Sequence, residues 1–316
     1  MAGLILGIGL TGVVALSLGP VQLRLPLDAF QTKILFDLRL PRILLALMVG
    51  AALAVAGVLF QGLFRNPLAD PYILGTSSGA ALGATIAVLS GVNYQFLGLS
   101  TRPLLAFIGA LLATALVYAL GRMGKRPVLT VMLLAGIAVG AFFSAVTSLL
   151  LFFRQEELGK IMFWMMGGFA YARWAEVRIV LPYLGGTFLY SWSLARQLNL
   201  LLLGEEKAHQ LGLAVGDLQR RIVITASVLV AAAVSVSGAI GFIGMMAPHI
   251  VRLLIGPDHR YLLPASALAG GLLLLVADTL ARTLLSPVEL PVGVLTSFIG
   301  GPFFLYLLHK GRSALY

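Results

Sequence analysis

The sequence predicts an all-α, polytopic membrane protein with about ten transmembrane helices. Of its 316 residues, 59% are hydrophobic and only 11% are charged, and the mean hydropathy is +1.00. An average soluble domain is about 25% charged, so this chain has too few charges to cover a water-exposed surface. A helix needs about 20 apolar residues to cross a hydrocarbon core ~30 Å thick, and runs of that length recur along the chain. We therefore expect residues 1–316 to form one transmembrane domain.

The ten predicted spans follow from this length criterion. They are expected near residues 2–19, 43–63, 79–97, 103–121, 129–152, 177–195, 262–281 and 291–308, with a full span and a shorter, broken one sharing 222–255. The first basic residue is Arg24. The first run therefore lacks the positive segment of a cleaved secretory signal, and we interpret it as a retained span.

The segments between the spans are short, which excludes a sizeable soluble domain. Residues 20–42 are predicted to be an amphipathic link and 153–176 a partly apolar one, while 196–220 is the most polar stretch and should lie on the surface. The positive-inside rule favours cytoplasmic N and C termini, through the basic loop at 122–126 and the pair Arg220 and Arg221.

The two halves of the chain share a faint internal repeat with an inverted arrangement. Val55, Gly57 and Pro67 recur 181 residues later as Val236, Gly238 and Pro248. Glycines at 238, 241 and 244, followed by this proline, also disfavour one straight helix across the second segment. Such a pattern is typical of inverted repeats, in which broken helices meet near a transport path.

Several classes of function are disfavoured by what the sequence lacks. The chain has no cysteine, which excludes disulfides, thiolate metal sites and cysteine nucleophiles. It has no G-x-x-x-x-G-K-[ST] motif, so it does not bind ATP as a P-loop protein. Its four histidines are dispersed, and we expect no metal site, no catalytic residues and no cofactor in this chain. The net charge of +10 comes from scattered basic residues, a pattern that does not indicate nucleic-acid binding.

One ionisable pair is expected inside the predicted span 262–281 and at its end. Asp278 and Arg282 are four residues apart, so they share a helix face. We interpret Asp278 as orienting Arg282, which would reach the outer interface. A proton relay is the alternative hypothesis.

The strongest local pattern is the run from Asn66 to Gly79. Pro67 and Pro71 forbid a continuous helix there, yet the run is too apolar for a solvated loop. Irregular backbone at membrane depth survives only inside protein or along an aqueous cavity, so this run should either line or plug a cavity. Small residues on the predicted span 129–152, including Gly136, Gly140 and Ser144, are compatible either with close helix packing or with lining the same pathway.

Two further patterns suit partners outside the membrane. Arg39 and Arg42 flank Leu40-Pro41 and could grip carboxylates bidentately, or they could anchor the chain at the interface by snorkelling. Residues 204–212 predict a short amphipathic helix closed by glycine. It could dock a soluble partner or serve as a solvated connector.

Five motifs in this order resemble one protein family. They are Leu38 to Arg42, Asn66 to Pro71, Gly204 to Gly212, Gly238 to Gly244 with Pro248-His249, and Glu289 to Gly293. Over about residues 35–312 the chain resembles the FecCD-type permeases of ATP-binding-cassette importers, which move iron-siderophores, haem and cobalamin. The alternatives from other classes are a secondary transporter and an intramembrane enzyme that would use Asp278, His249 and Arg252.

The resemblance implies an inner-membrane subunit of a bacterium, surrounded by lipid, that pairs as a homodimer with two ATPase subunits below it and a periplasmic binding protein above it. ATP and Mg would bind to the ATPase subunits. The resemblance implies docking of the binding protein at Arg39, Arg42 and Arg282, a cytoplasmic gate at Asn66, Pro67, Leu68, Leu129 and Thr130, and ATPase coupling at Gly204, Glu205, Glu206, Ala208, Leu211 and Gly212. It leaves the substrate open among siderophore, haem and cobalamin.

Overall fold

The computed structural model describes residues 1–19, 28–92, 95–96, 99–123 and 126–312. In chain order the helices are α1 Ala2–Ser17, α2 Ala29–Lys33, α3 Leu40–Phe64, α4 Thr76–Ser90, α5 Thr101–Leu120, α6 Leu129–Phe153, α7 Leu158–Met165, α8 Trp174–Ser193, α9 Ala195–Leu201, α10 Glu205–Gln210, α11 Val215–Ser237, α12 Ile243–Ile255, α13 His259–Thr283 and α14 Val292–Arg312. A π-helical segment, Ile34–Arg39, joins α2 to α3, and a 3₁₀ turn, Gln155–Glu157, precedes α7.

Helices occupy all ten predicted span positions, which confirms the all-α membrane fold. Within the described residues, six helices are long and apolar enough to cross a membrane: the continuous α2–α3, α5, α6, α11, α13 and α14. Three shorter apolar helices, α1, α4 and α12, and the helix α8 occupy the other positions. The short strands β1 Gln95–Phe96 with β2 Leu99–Ser100, and β3 Arg122–Met123 with β4 Arg126–Pro127, form two small hairpins in the loops that flank α5.

Two predicted boundaries were wrong. Of the link predicted at 20–42, residues 20–27 lie outside the described residues, and the remainder is not a link, because the helix that begins at Ala29 continues into α3. The span predicted at 79–97 is α4, which ends at Ser90 where Gly91 takes a left-handed conformation. The full span and the shorter one predicted within 222–255 are confirmed as α11 and α12, which are separated at residues 238–242, while Pro248 is accommodated inside α12.

Two of the three matched positions of the internal repeat are not structurally equivalent. Gly57 lies inside α3, where its φ is helical, whereas Gly238 ends α11 with φ +67°. Pro67 lies after the end of a helix and Pro248 lies within one. The glycine and the proline therefore have different structural roles in the two halves of the chain.

Helix α3 is the centre of the bundle and is almost entirely buried. It packs closely against α12 and α13 through glycines. A Cβ at Gly57 would overlap the carbonyl of Gly244, and one at Gly50 would overlap the carbonyl of Gly270. Small residues at such crossings let backbones approach, and that close contact stabilises helix pairs in lipid, where burying Leu against Leu gains little.

Enlarging a crossing glycine should destabilise the bundle. Gly57→Val would push α3 away from α12, and overpacking of this kind costs about 1–3 kcal/mol, which lowers the thermal midpoint by roughly 5 °C. Gly185→Val on α8 is the matched control, because a Cβ there meets nothing within 4 Å. Thermal unfolding of the purified chain in detergent measures both midpoints. Equal midpoints for the two variants would contradict the crossing as a stabilising contact.

Candidate functional site

The proline-containing run between α3 and α4 is irregular as predicted up to Gly75, whereas residues 76–79 already belong to α4. We call residues 65–75 the first break. It begins at Arg65, which has a left-handed φ of 50°. Its side chains bond its own backbone: Asn66 Oδ1 accepts from the Leu68 N–H (2.9 Å), and Asp70 Oδ1 accepts from the Tyr72 N–H (2.8 Å). These Asx turns satisfy backbone donors that a helix would otherwise pair.

The first break lies against residues 238–242, the irregular segment between α11 and α12, which we call the second break. The Tyr72 hydroxyl donates to the carbonyl of Ile240 (3.1 Å) and accepts from its N–H (3.2 Å). The Phe242 N–H also bonds the Asp70 carboxylate. Two irregular segments therefore satisfy each other's polar groups inside the protein, as membrane depth requires.

A cavity of about 510 Å³ lies beside the first break, and we call it the groove. Its lining residues are Tyr72, Ile73, Gly75, Ser77, Ser78, Ala81, Gly136, Ile137, Gly140, Ala141, Ser144, Thr147, Ser148, Leu151, Met162 and Met165. The three pathway residues proposed from the sequence, Gly136, Gly140 and Ser144, are all among them. The described lining contains five Ser and Thr hydroxyls and no charged side chain, which suits a large solute without a bare charge.

Glycine lets α6 form one wall of the groove. A Cβ at Gly136 would overlap the carbonyl of Ile73 in the first break. The rest of α6 has little protein cover: Leu134 is 64% exposed, and Ile137, which lines the groove, is 69% exposed. The helix is thus held to the first break on one side and left open to lipid or protein on the other.

The residues assigned to a gate fall into two groups. Asn66 and Pro67 are exposed and Leu68 is half-buried in the first break, while Leu129 and Thr130 begin α6. Among the hydrogen bonds and ion pairs of the described residues, none joins the two groups.

The segment predicted as a coupling helix is α10, and it is bounded by glycines as expected. Gly204 precedes it with φ +101°, and Gly212 follows with φ +85°. Ala208 is buried, whereas Glu205, Glu206 and Leu211 are exposed. Gln219 Nε2 donates to Glu205 Oε1 (3.1 Å), which ties α10 to α11.

Helix α10 lies at the same end of the bundle as the first residues of the first break. Arg65 Nη1 lies 3.8 Å from the position that a Cβ on Gly204 would take. We call this end of the bundle the α10 end. The opposite end, where Arg39, Arg42 and Arg282 lie, we call the arginine end.

At the arginine end, Arg42 binds two carboxylates. Its Nε and Nη2 donate to Asp278 (2.9–3.1 Å), and its Nη1 donates to Glu289 (2.9 and 3.0 Å). The expectation that Asp278 orients Arg282 was wrong. The two residues do share a helix face, but α3 packs closely enough on α13 to bring Arg42 to both oxygens of Asp278.

The other two arginines bind carbonyls at the end of α1. Arg39 donates to Leu16 and to Ser17 (3.2 Å), and Arg282 donates to Ala15. The last carbonyls of a helix lack intrahelical partners and carry the negative end of its dipole, so cations are favoured there. The three arginines predicted for docking therefore lie together, with their guanidiniums turned into the protein beside a cavity of about 270 Å³.

Two contributors were missed by sequence reasoning. Glu289 appeared only as part of a motif, although it is an ion-pair partner of Arg42. Tyr72 appeared only within the proline-rich run, although it joins the two breaks. Each residue lies within a motif that the sequence analysis recognised, and this was the signal that could have found it. Their partners, Arg42 and Ile240, are far away in the sequence and could not be identified from it.

The residues that an intramembrane enzyme would use do not form one site. Asp278 is bound by Arg42, while His249 and Arg252 lie on α12, where the imidazole contacts the Phe303 ring (6.0 Å between centroids). Within the described ranges there is no group of three His, Cys, Asp or Glu side chains that could hold a metal.

An apolar helical bundle with irregular backbone buried beside an uncharged groove has the architecture of a membrane permease. Comparison with known proteins supports the assignment as a membrane permease. The model of the FecCD transport family matches residues 3–310, and the chain belongs to that family.

Its relatives are transport permeases. The hemin transport system permease protein of Yersinia pestis is 46% identical over 278 residues, covering 87% of this chain and 83% of the relative. The cobalamin import system permease protein of Halobacterium salinarum is 47% identical over 292 residues, covering 92% and 76%. A solved inward-facing structure assigned to the metal-chelate type of ABC transporter superposes with a TM-score of 0.88 at 37% identity, covering 98% of both chains.

Proposed function

We propose that the chain is the transmembrane permease subunit of an ATP-binding-cassette importer that moves an iron chelate, such as a siderophore or haem, or cobalamin into the cytoplasm. The observation that carries this proposal is the groove, where hydroxyls and glycines meet an irregular segment at membrane depth. A bare metal ion would need carboxylate or imidazole ligands, which the described lining lacks. A chelate satisfies its own metal and needs only a wide, weakly polar path.

Uptake into proteoliposomes tests the proposal. The chain, co-reconstituted with its ATPase and its binding protein, should take up one of haem, an iron-siderophore or cobalamin, and only when ATP is supplied. Uptake driven by an ion gradient without ATP would instead identify a secondary transporter. The names of the haem and cobalamin permeases among its relatives support this panel of substrates.

The groove is open on the side of α6 that lacks protein cover, so we propose that a second copy of the chain closes it. Ser78, Thr147 and Ser148 donate to backbone carbonyls, but the hydroxyls of Ser77 and Ser144 would lose hydrogen bonds with water if they faced lipid, which is costly. Two copies related by a dyad would enclose these hydroxyls in one shared pathway. In the homodimer, the second copy would thus form the wall on the open side of the groove.

Filling the groove should stop transport without unfolding the chain. Ser144→Trp places a large ring in the path, and we expect uptake to fall about tenfold or more because the diameter of the path limits passage. Leu149→Trp is the matched control, since Leu149 is exposed on the same helix but does not line the groove. Uptake into proteoliposomes measures both. Normal uptake by the Ser144 variant would contradict the assignment.

We propose that α10 couples the chain to the ATPase subunits, which bind ATP and Mg. Its exposed acids and exposed Leu211 offer a mixed polar and apolar surface, and buried Ala208 fixes the helix to the bundle. Coupling needs contacts that differ between two states, and a short helix held by glycines at both ends can move as a unit. Asn66, Pro67 and Leu68 are proposed as part of the gate because the first break begins beside α10, and Leu129 and Thr130 are proposed because they begin α6, which forms a wall of the groove.

A charge on the exposed face of α10 should uncouple the two subunits. Leu211→Asp removes an apolar contact at the proposed interface, and loss of a central contact of this kind weakens association by about tenfold or more. Asp217→Asn, on an exposed side chain of neighbouring α11, should have little effect. For both variants, the test measures how much ATPase co-purifies with the chain and how much substrate is taken up per ATP hydrolysed. If Leu211→Asp retains both at wild-type level, α10 is not the coupling element.

We propose that the arginine end faces the periplasm and docks the binding protein through Arg39, Arg42 and Arg282. The α10 end would then face the cytoplasm, and both termini would lie on the cytoplasmic side of the inner membrane. Three guanidiniums beside one cavity create a positive field that attracts acidic side chains. Because these guanidiniums are bonded within the chain, docking would require an exchange of partners.

A further inference from the structure

Arg42 holds two carboxylates of very different accessibility. The Asp278 side chain is 0% exposed, whereas the Glu289 side chain is 31% exposed. Asp278 lies inside α13, but Glu289 lies in the connection between α13 and α14. Removing a buried partner leaves an uncompensated charge, while an accessible carboxylate can be replaced by another at little cost. Glu289 is therefore the exchangeable partner of Arg42.

The cavity beside this ion pair has room and charge for another acid. Three arginines and Glu289 line its volume of about 270 Å³. Among the described residues, these three guanidiniums lie beside two carboxylates, those of Asp278 and Glu289. Arg282 is 4% exposed, and its Nε is buried with no hydrogen-bond partner. Because Arg42 and Arg282 both line the cavity, a carboxylate that entered it from outside would lie beside both guanidiniums.

We propose that Glu289 is an internal substitute for the docking partner's acidic side chain, and that docking displaces it from Arg42. This inference rests on the proposed function, because it requires a binding protein at the arginine end. In the undocked chain Glu289 neutralises Arg42. In the docked complex an aspartate or glutamate of the binding protein takes its place, and the released connection between α13 and α14 changes position.

The displaced segment is joined to the groove by a continuous set of contacts. Gly293 follows four residues after Glu289, and its N–H donates to Gly167 (3.4 Å). A Cβ at Gly293 would lie 2.8 Å from the carbonyl of Ala239 in the second break. The next residue, Ile240, is bonded to Tyr72, which lines the groove. Movement of Glu289 can therefore change the conformations of the second break and of the first break that is bonded to it.

Glu289→Gln tests the exchange. It keeps the side chain's size but weakens its hold on Arg42, so the binding protein that co-purifies with the assembled transporter should bind about threefold to tenfold more tightly at low salt. The gain should shrink as salt screens the charges. Glu176→Gln is the control. It removes a carboxylate on α8 that does not line the arginine cavity, and it should leave the affinity unchanged.

A spin label reports the displacement directly. Val288 is 65% exposed, and the chain has no cysteine, so Val288→Cys gives one labelled site. Adding the binding protein should raise the label's mobility to the level that Glu289→Gln shows alone.

Three results decide the proposal. Tighter docking by Glu289→Gln alone, with a mobilised label, supports it. Unchanged or weaker docking, or a label that docking does not mobilise, overturns it while wild-type docking upholds the proposed function. If the wild-type transporter docks no binding protein, both the proposed function and this inference fail.

Discussion

The structure depends on the mutual hydrogen bonding of two irregular segments inside an apolar bundle. Unpaired backbone polar groups are costly in hydrocarbon, so a break in a transmembrane helix persists only if protein satisfies it. Tyr72 does this for both polar groups of Ile240, and Asp70 does it for Phe242. Because these bonds hold the first break in place, α4 can begin at Thr76 and leave the groove beside it.

Close helix contact supports the same arrangement. Gly57 and Gly50 on α3 let α12 and α13 approach, which brings the second break to the first and brings Arg42 to Asp278. The desolvation cost of the buried guanidiniums at the arginine end is offset because each of them is bonded to a carboxylate or to a carbonyl at the end of a helix. One set of glycine crossings thus positions both the groove and the charged cluster.

The sequence was sufficient for the fold class, whereas for the groove wall it left packing and pathway lining as alternatives. Apolar run lengths placed all ten spans, and the small residues Gly136, Gly140 and Ser144 do line the groove. The ion-pair partners of the charged residues could not be predicted from the sequence in the same way. Asp278 and Arg282 share a helix face, but the choice of Arg42 as the partner of Asp278 depends on how closely α3 approaches α13. The break predicted from Gly238, Gly241, Gly244 and Pro248 falls at Gly238, whose positive φ ends α11, whereas Pro248 lies inside α12.

The central claim is that the first break borders an aqueous route shared by two copies, and solvent access at Ser78 tests it most directly. The chain has no cysteine, so Ser78→Cys is the only thiol in the permease. In the assembled transporter, in membranes, a water-soluble and membrane-impermeant thiosulfonate should label it. If the thiol reacts only with a lipid-soluble maleimide, or with neither reagent, the first break faces lipid or solid packing and the account is contradicted.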